Sequence, residues 1–102
     1  MKAAAILLLL FSTNRSGLEG CYQEIKPPAR TIIIENNAIQ FNGYIYLIRR
    51  VGVYTVGKTM TYFITTEPGV LWTIKVANGY YLFTVYDRTT GGKVAELTTI
   101  RR

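Results

Sequence analysis

One stretch of this 102-residue chain has residue types at a spacing that could do chemistry. Gly52-Val53-Tyr54-Thr55-Val56-Gly57-Lys58-Thr59 satisfies the phosphate-loop pattern G-x-x-x-x-G-K-[ST]. That device needs backbone N–H groups curled around a phosphate, with a helix following. The residues within it argue otherwise. Val53, Tyr54 and Val56 favour extended backbone, and the segment after Lys58 is rich in β-branched Thr59, Thr61, Ile64, Thr65 and Thr66, a poor helix. The expectation is a strand, Val53 to Val56, running into a glycine turn.

Other reactive groups are sparse. The chain has no histidine, which removes the commonest general base and metal ligand. Cys21 is the single cysteine, so neither an internal disulfide nor a Cys/His zinc site can form. The six carboxylates are spread singly along the chain, with no close acid–base pair. No residue is therefore assigned a catalytic, metal-ligating or cofactor-binding role, and no cofactor is implied. Twelve Lys and Arg against six Asp and Glu give a net charge of +6, which favours an acidic protein, nucleic acid or an anionic surface as partner. The basic residues are scattered, apart from Arg49-Arg50 and Arg101-Arg102.

The elements that must position these groups read mostly as strands. About half of the residues are apolar, enough for one core, so residues 1–102 are expected to form a single domain. Lys2 precedes the apolar run Ala3 to Phe11, and Leu18-Glu19-Gly20-Cys21 has the look of a lipoprotein cleavage box. Arg15 and Glu19 interrupt that arrangement, and nine apolar residues are too few to span a bilayer. Residues 2–12 are therefore read as a buried helix, and residues 1–30 as helix plus connector. Asn36-Asn37, Asn42-Gly43 and Asn78-Gly79 are turn signals, the last two of the kind that tight hairpins require. Asn42-Gly43-Tyr44 aligns with Asn78-Gly79-Tyr80, and Gly57-Lys58 with Gly92-Lys93. The spacing predicts an internal duplication, with residues 31–66 and 67–102 as two similar hairpin-based motifs. Residues 94–100 lean towards a short helix. The resulting expectation is an α+β fold: an N-terminal helix and two motifs around one core.

Two resemblances accompany this reading. Gly43-Tyr44-Ile45-Tyr46-Leu47-Ile48 followed by Tyr54-Thr55-Val56-Gly57-Lys58-Thr59 resembles the paired signature of the GIY-YIG nucleases. That family has a small α+β fold and cuts DNA with a divalent metal. By this match Tyr46 and Tyr54 would be the signature tyrosines. The family's helix arginine has no counterpart, since no Arg occurs between Arg50 and Arg88, and neither Glu67 nor Glu96 sits convincingly as its metal ligand. Taken with the Trp72 to Asp87 stretch, the chain also resembles small proteins of filamentous viruses of archaea, which implies an accessory role.

The function expected from these observations is non-catalytic binding of a protein or peptide at the seam between the two motifs. Tyr and Trp offer large contact area with few torsions to freeze, which suits interfaces. Trp72, Tyr44, Tyr46, Tyr80 and Tyr86 are the expected partner-binding residues. Nucleic-acid binding is the alternative that the charge supports, and a degenerate GIY-YIG-like nuclease is the one that the resemblance implies. No transmembrane span is expected, and a homodimer formed through an uncovered strand edge or an aromatic seam is an expected assembly. On the strand after Asn78-Gly79, Tyr81, Phe83 and Val85 share the face expected to enter the core.

Overall fold

The computed structural model describes residues 17–102. Eight antiparallel strands follow one another in chain order around a closed barrel. They are β1 (Gly20–Glu24), β2 (Thr31–Glu35), β3 (Ala38–Phe41), β4 (Tyr44–Val56), β5 (Thr59–Glu67), β6 (Val70–Ala77), β7 (Tyr80–Asp87) and β8 (Lys93–Arg101). Closure comes from β1 pairing with β8, where Tyr22 lies opposite Arg101 and Glu24 opposite Thr99.

The turn chemistry explains the up-and-down course. Five of the seven connections are two residues long. Asn36 and Asn37 (φ 50° and 67°), Asn42 and Gly43 (φ 53° and 80°), and Asn78 and Gly79 (φ 54° and 81°) all occupy the left-handed region. Paired positive φ values are the geometry of the type I′ turn, whose twist matches that of the flanking strands. At Gly57-Lys58 only the glycine has positive φ, 60°, as in a type II′ turn. The Gly52–Thr59 pattern is thus the distal part of β4 with its hairpin turn, on extended backbone.

The barrel interior is filled by side chains that alternate along each strand. Tyr22, Ile32, Ile34, Ile39, Phe41, Ile48, Ile64, Trp72, Ile74, Phe83, Val85 and Leu97 form the core, and Leu18 packs onto it from the N-terminal side. Tyr22 stands edge-on to Phe83 and Tyr81, at 5.1 and 5.0 Å between ring centres. The expected core face of β7 is found: Phe83 and Val85 are buried and Tyr81 is half-buried against the cluster.

The α+β expectation is corrected to all-β. Among the described residues only Gly17–Leu18 are helical, and the helix read over 2–12 lies outside them. Residues 94–100 belong to β8, because Lys93 to Thr99 pair with Tyr86 to Tyr81 of β7 and the ladder outweighs the local helix preference of Lys-Val-Ala-Glu-Leu. The two-motif duplication is corrected as well. Residues 31–66 span four strands and residues 67–102 three, and the matched strands β4 and β7 have 13 and 8 residues. The boundary between them is an ordinary hairpin, with β5 and β6 in unbroken register from Met60↔Val76 to Thr66↔Val70. What repeats is turn chemistry, and among the described residues the boundary at 66/67 is a continuous β5–β6 ladder rather than a seam.

Candidate functional site: the free edge of β4

The longest strand outruns its neighbour on one side. β3 pairs with β4 only from Phe41↔Tyr44 to Ala38↔Leu47, and the last bond on that side is Ile48 N–H to the Asn37 carbonyl at 2.9 Å. From Arg50 to Val56, β4 pairs with β5 alone, down to Val56↔Thr59. Along the opposite side of this stretch no described residue supplies a backbone partner. Half of its N–H and C=O groups therefore point outward, ready to accept another strand.

The side chains here are apolar and open. Val53, Tyr54 and Val56 are 47, 60 and 57% exposed, and Phe63 and Met60 across the hairpin are also exposed. From Val51 to Val56 the edge has neither a charge nor a proline, the devices by which an edge is usually blunted. β8 offers an instructive contrast. Its Lys93–Leu97 stretch also extends past its β1 partner, yet it carries the Lys93–Glu96 ion pair at 3.3 Å. Basic residues bracket the β4 edge, with Arg49 and Arg50 at one end and Lys58 at the other, and no acid lies between them.

A β-bulge sets the start of this stretch. Ile48 pairs with Thr66 and Arg50 with Thr65, leaving Arg49 as the extra residue. Ile48 points inward and is buried, so Arg49 points out; Arg50 lies opposite outward-facing Thr65 and also points out. Arg49 reaches Glu67 at 3.4 Å, with both side chains well exposed.

Of the five aromatic residues expected to bind a partner, Tyr44, Tyr46 and Trp72 form a row, with Tyr44 tilted against Tyr46 at 6.4 Å between ring centres, while Tyr80 and Tyr86 stand apart from them. Trp72 is fully buried and Tyr46 packs edge-on against it at 5.2 Å, so both serve the core. A closed barrel turns one face of every strand inward, and these two fall on that face. Tyr44 and Tyr80 are 66 and 50% exposed, but they follow turns at opposite ends of the barrel. Tyr86 is half-buried near the end of β7. Sequence reasoning missed Val53, Tyr54, Val56 and Phe63 as an exposed group. The available signal was the unusual length of the run from Tyr44 to Val56 without a turn residue other than Gly52. Of the two signature-like tyrosines, Tyr46 faces the core and Tyr54 faces solvent.

The Glu24–Arg30 pair serves the fold. Arg30 donates from Nε to Glu24 Oε1 and from a terminal nitrogen to Oε2, both at 2.9 Å, and its backbone N–H reaches Oε1 at 3.1 Å. This fork closes the β1–β2 loop. The Arg30 hydrogen bonds hold the Glu24 carboxyl below the ordinary carboxylate range. Among the described residues no group of three or more Cys, Asp or Glu is placed to hold a metal, and no helix is long and apolar enough to cross a membrane.

Comparisons with protein-family models, with curated proteins and with solved structures find no match to this chain.

Proposed function

We propose that this protein is a non-catalytic binding module that takes an extended segment of another protein onto the free edge of β4. The observation that carries the proposal is the uncharged, proline-free stretch Val51–Val56, which lacks a backbone neighbour on one side among the described residues. Strand addition supplies main-chain hydrogen bonds for affinity, and alternate side chains supply selectivity. The bracketing charges select the partner. A second copy paired antiparallel would bring Arg49 and Arg50 close to the other copy's Lys58. A β-prone segment with an apolar centre and acidic flanks opposes the charges at both ends.

The test is selection from a displayed library of ten-residue peptides, followed by calorimetry and amide hydrogen exchange. Binders should be apolar at the centre and acidic at the flanks, should slow exchange along Val51–Val56, and should lose affinity to Val53→Pro. Failure to select any binder, or protection confined to another surface, would defeat the proposal.

A further inference from the structure

A second site adjoins the Arg49-Arg50 end of the β4 edge, on the outer wall where β4, β5 and the turns after β5 and β7 meet. A cleft of about 580 Å³ is lined there by Arg49, Arg50, Thr65, Glu67, Gly69 and Arg88. The fold brings these residues together by two separate devices. The β4 bulge turns both Arg49 and Arg50 outward onto one wall. The Arg88 N–H reaches the Gly69 carbonyl at 3.4 Å, which docks the β7–β8 loop beside the β5–β6 turn and brings a third guanidinium to the rim.

The electrostatics of this cleft are unbalanced. Three arginines face one carboxylate, so the lining carries a net charge of +2. Glu67 is engaged by Arg49 at 3.4 Å, and neither Arg50 nor Arg88 forms an ion pair among the described residues. Like charges gathered in a concavity raise the local concentration of anions. Guanidinium forks match tetrahedral and planar oxyanions through paired N–H donors.

We infer that this cleft binds a small phosphate-bearing molecule. A phosphate monoester carries a charge of about −1.5 to −2 near neutral pH and has three strong acceptor oxygens, matching the unbalanced charge and the unpaired guanidiniums of Arg50 and Arg88. The cleft is larger than one phosphate group needs and falls in the range of small-molecule sites. The Thr65 hydroxyl is suited to a hydroxyl group on the remainder of the ligand. No aromatic side chain lines the cleft, so nothing there stacks on a nucleobase. The class is therefore a phosphorylated polyol or sugar rather than a nucleotide read through its base. Arg49 and Arg50 flank both the cleft and the β4 edge, but Arg88 and Gly69 belong to the cleft alone and Val53 to the edge alone, so Arg88→Ala and Val53→Pro distinguish the failure of one reading from the failure of the other.

The test is titration of the full chain with glycerol 3-phosphate, inorganic phosphate and adenosine monophosphate, read by calorimetry and by amide shifts in heteronuclear NMR. Glycerol 3-phosphate should shift the amides of Arg50, Thr65, Gly69 and Arg88 and bind at least as tightly as the other two. Arg50→Ala and Arg88→Ala should each weaken it about tenfold or more. Glu67→Gln should tighten it by freeing Arg49, whereas Lys75→Ala and Val53→Pro should leave it unchanged. No saturable shift up to about 10 mM would overturn the inference. Equal weakening by Lys75→Ala would also overturn it, because that marks diffuse attraction to a basic protein. Tighter binding of adenosine monophosphate than of glycerol 3-phosphate would overturn the assigned class.

Discussion

The indole N–H of Trp72 donates to the Thr66 hydroxyl at 3.1 Å inside the barrel, and the same hydroxyl lies 3.2 Å from the Pro68 carbonyl and 3.3 Å from that of Val70. One threonine thus accepts from the largest core side chain and donates into the β5–β6 turn. Both residues are buried, so neither polar group can turn to water instead. Thr66→Val keeps the shape and orphans the indole N–H. It is expected to cost about 1–3 kcal/mol in urea unfolding, and Thr66→Ser much less. Trp72→Ala, which empties the centre of the core, is expected to cost about 3–5 kcal/mol.

Tyr22 gives the fold an alkaline limit. Its ring is fully buried, its hydroxyl donates to the Leu18 carbonyl, and the Arg101 guanidinium lies 5.6 Å from the ring centre. Burial pushes the phenol from 10.0 up to about 12, against the lowering influence of Arg101. The folded chain therefore holds this proton more tightly than the unfolded chain does. Stability is complete below the unfolded value and declines as pH rises from 10 towards 12. Thermal melts across that interval should show the decline in the natural chain and a shallower one in Tyr22→Phe.

At the acid end the Glu24–Arg30 fork acts in the opposite sense. The Glu24 carboxyl lies below its ordinary 4.5, so the folded state binds that proton less tightly than the unfolded state. Its contribution is complete above 4.5 and is lost as pH falls through the lower folded value. Glu24→Gln should be less stable than the natural chain at neutral pH. The gap should close in melts taken below that range.

Two glycines on open ground should respond differently to the same substitution. A methyl group added at Gly79 would meet nothing within 4 Å, yet its φ of 81° is one that L-residues resist. Gly79→Ala is expected to cost about 1 kcal/mol through backbone strain alone. Gly52 also has open space and carries no positive φ, so Gly52→Ala should be neutral or stabilise by up to about 1 kcal/mol. Chemical denaturation of the two variants decides the matter.

The unpaired side of β4 makes a dynamic prediction. β5 has a neighbour on each side from Met60 to Thr66, whereas β4 from Arg50 to Val56 has one. Half of the amides in that β4 stretch should exchange with solvent much faster than those of β5. Uniform slow exchange across both strands would show the edge to be covered.

Local signals were legible because they act over two to four residues. Asn36-Asn37, Asn42-Gly43 and Asn78-Gly79 favour left-handed backbone through their own residue types, and all three are turns. The alternation Tyr81, Phe83, Val85 chose its buried face for the same reason, since a strand presents every second residue to one side. Tertiary structure decided what lies farther apart. Pairing of Tyr22 with Arg101 joins residues from opposite ends of the chain, and no period-two pattern records whether a sheet closes. Closure turned Trp72 and Tyr46 from expected contact residues into core, made β8 from a segment that leans helical, and removed the seam on which the expected site depended. The mismatch in length between β3 and β4, and the one-residue bulge at Arg49, then fixed which backbone and which charges stayed outside. Both are relations between strands, so neither residue run contains them alone.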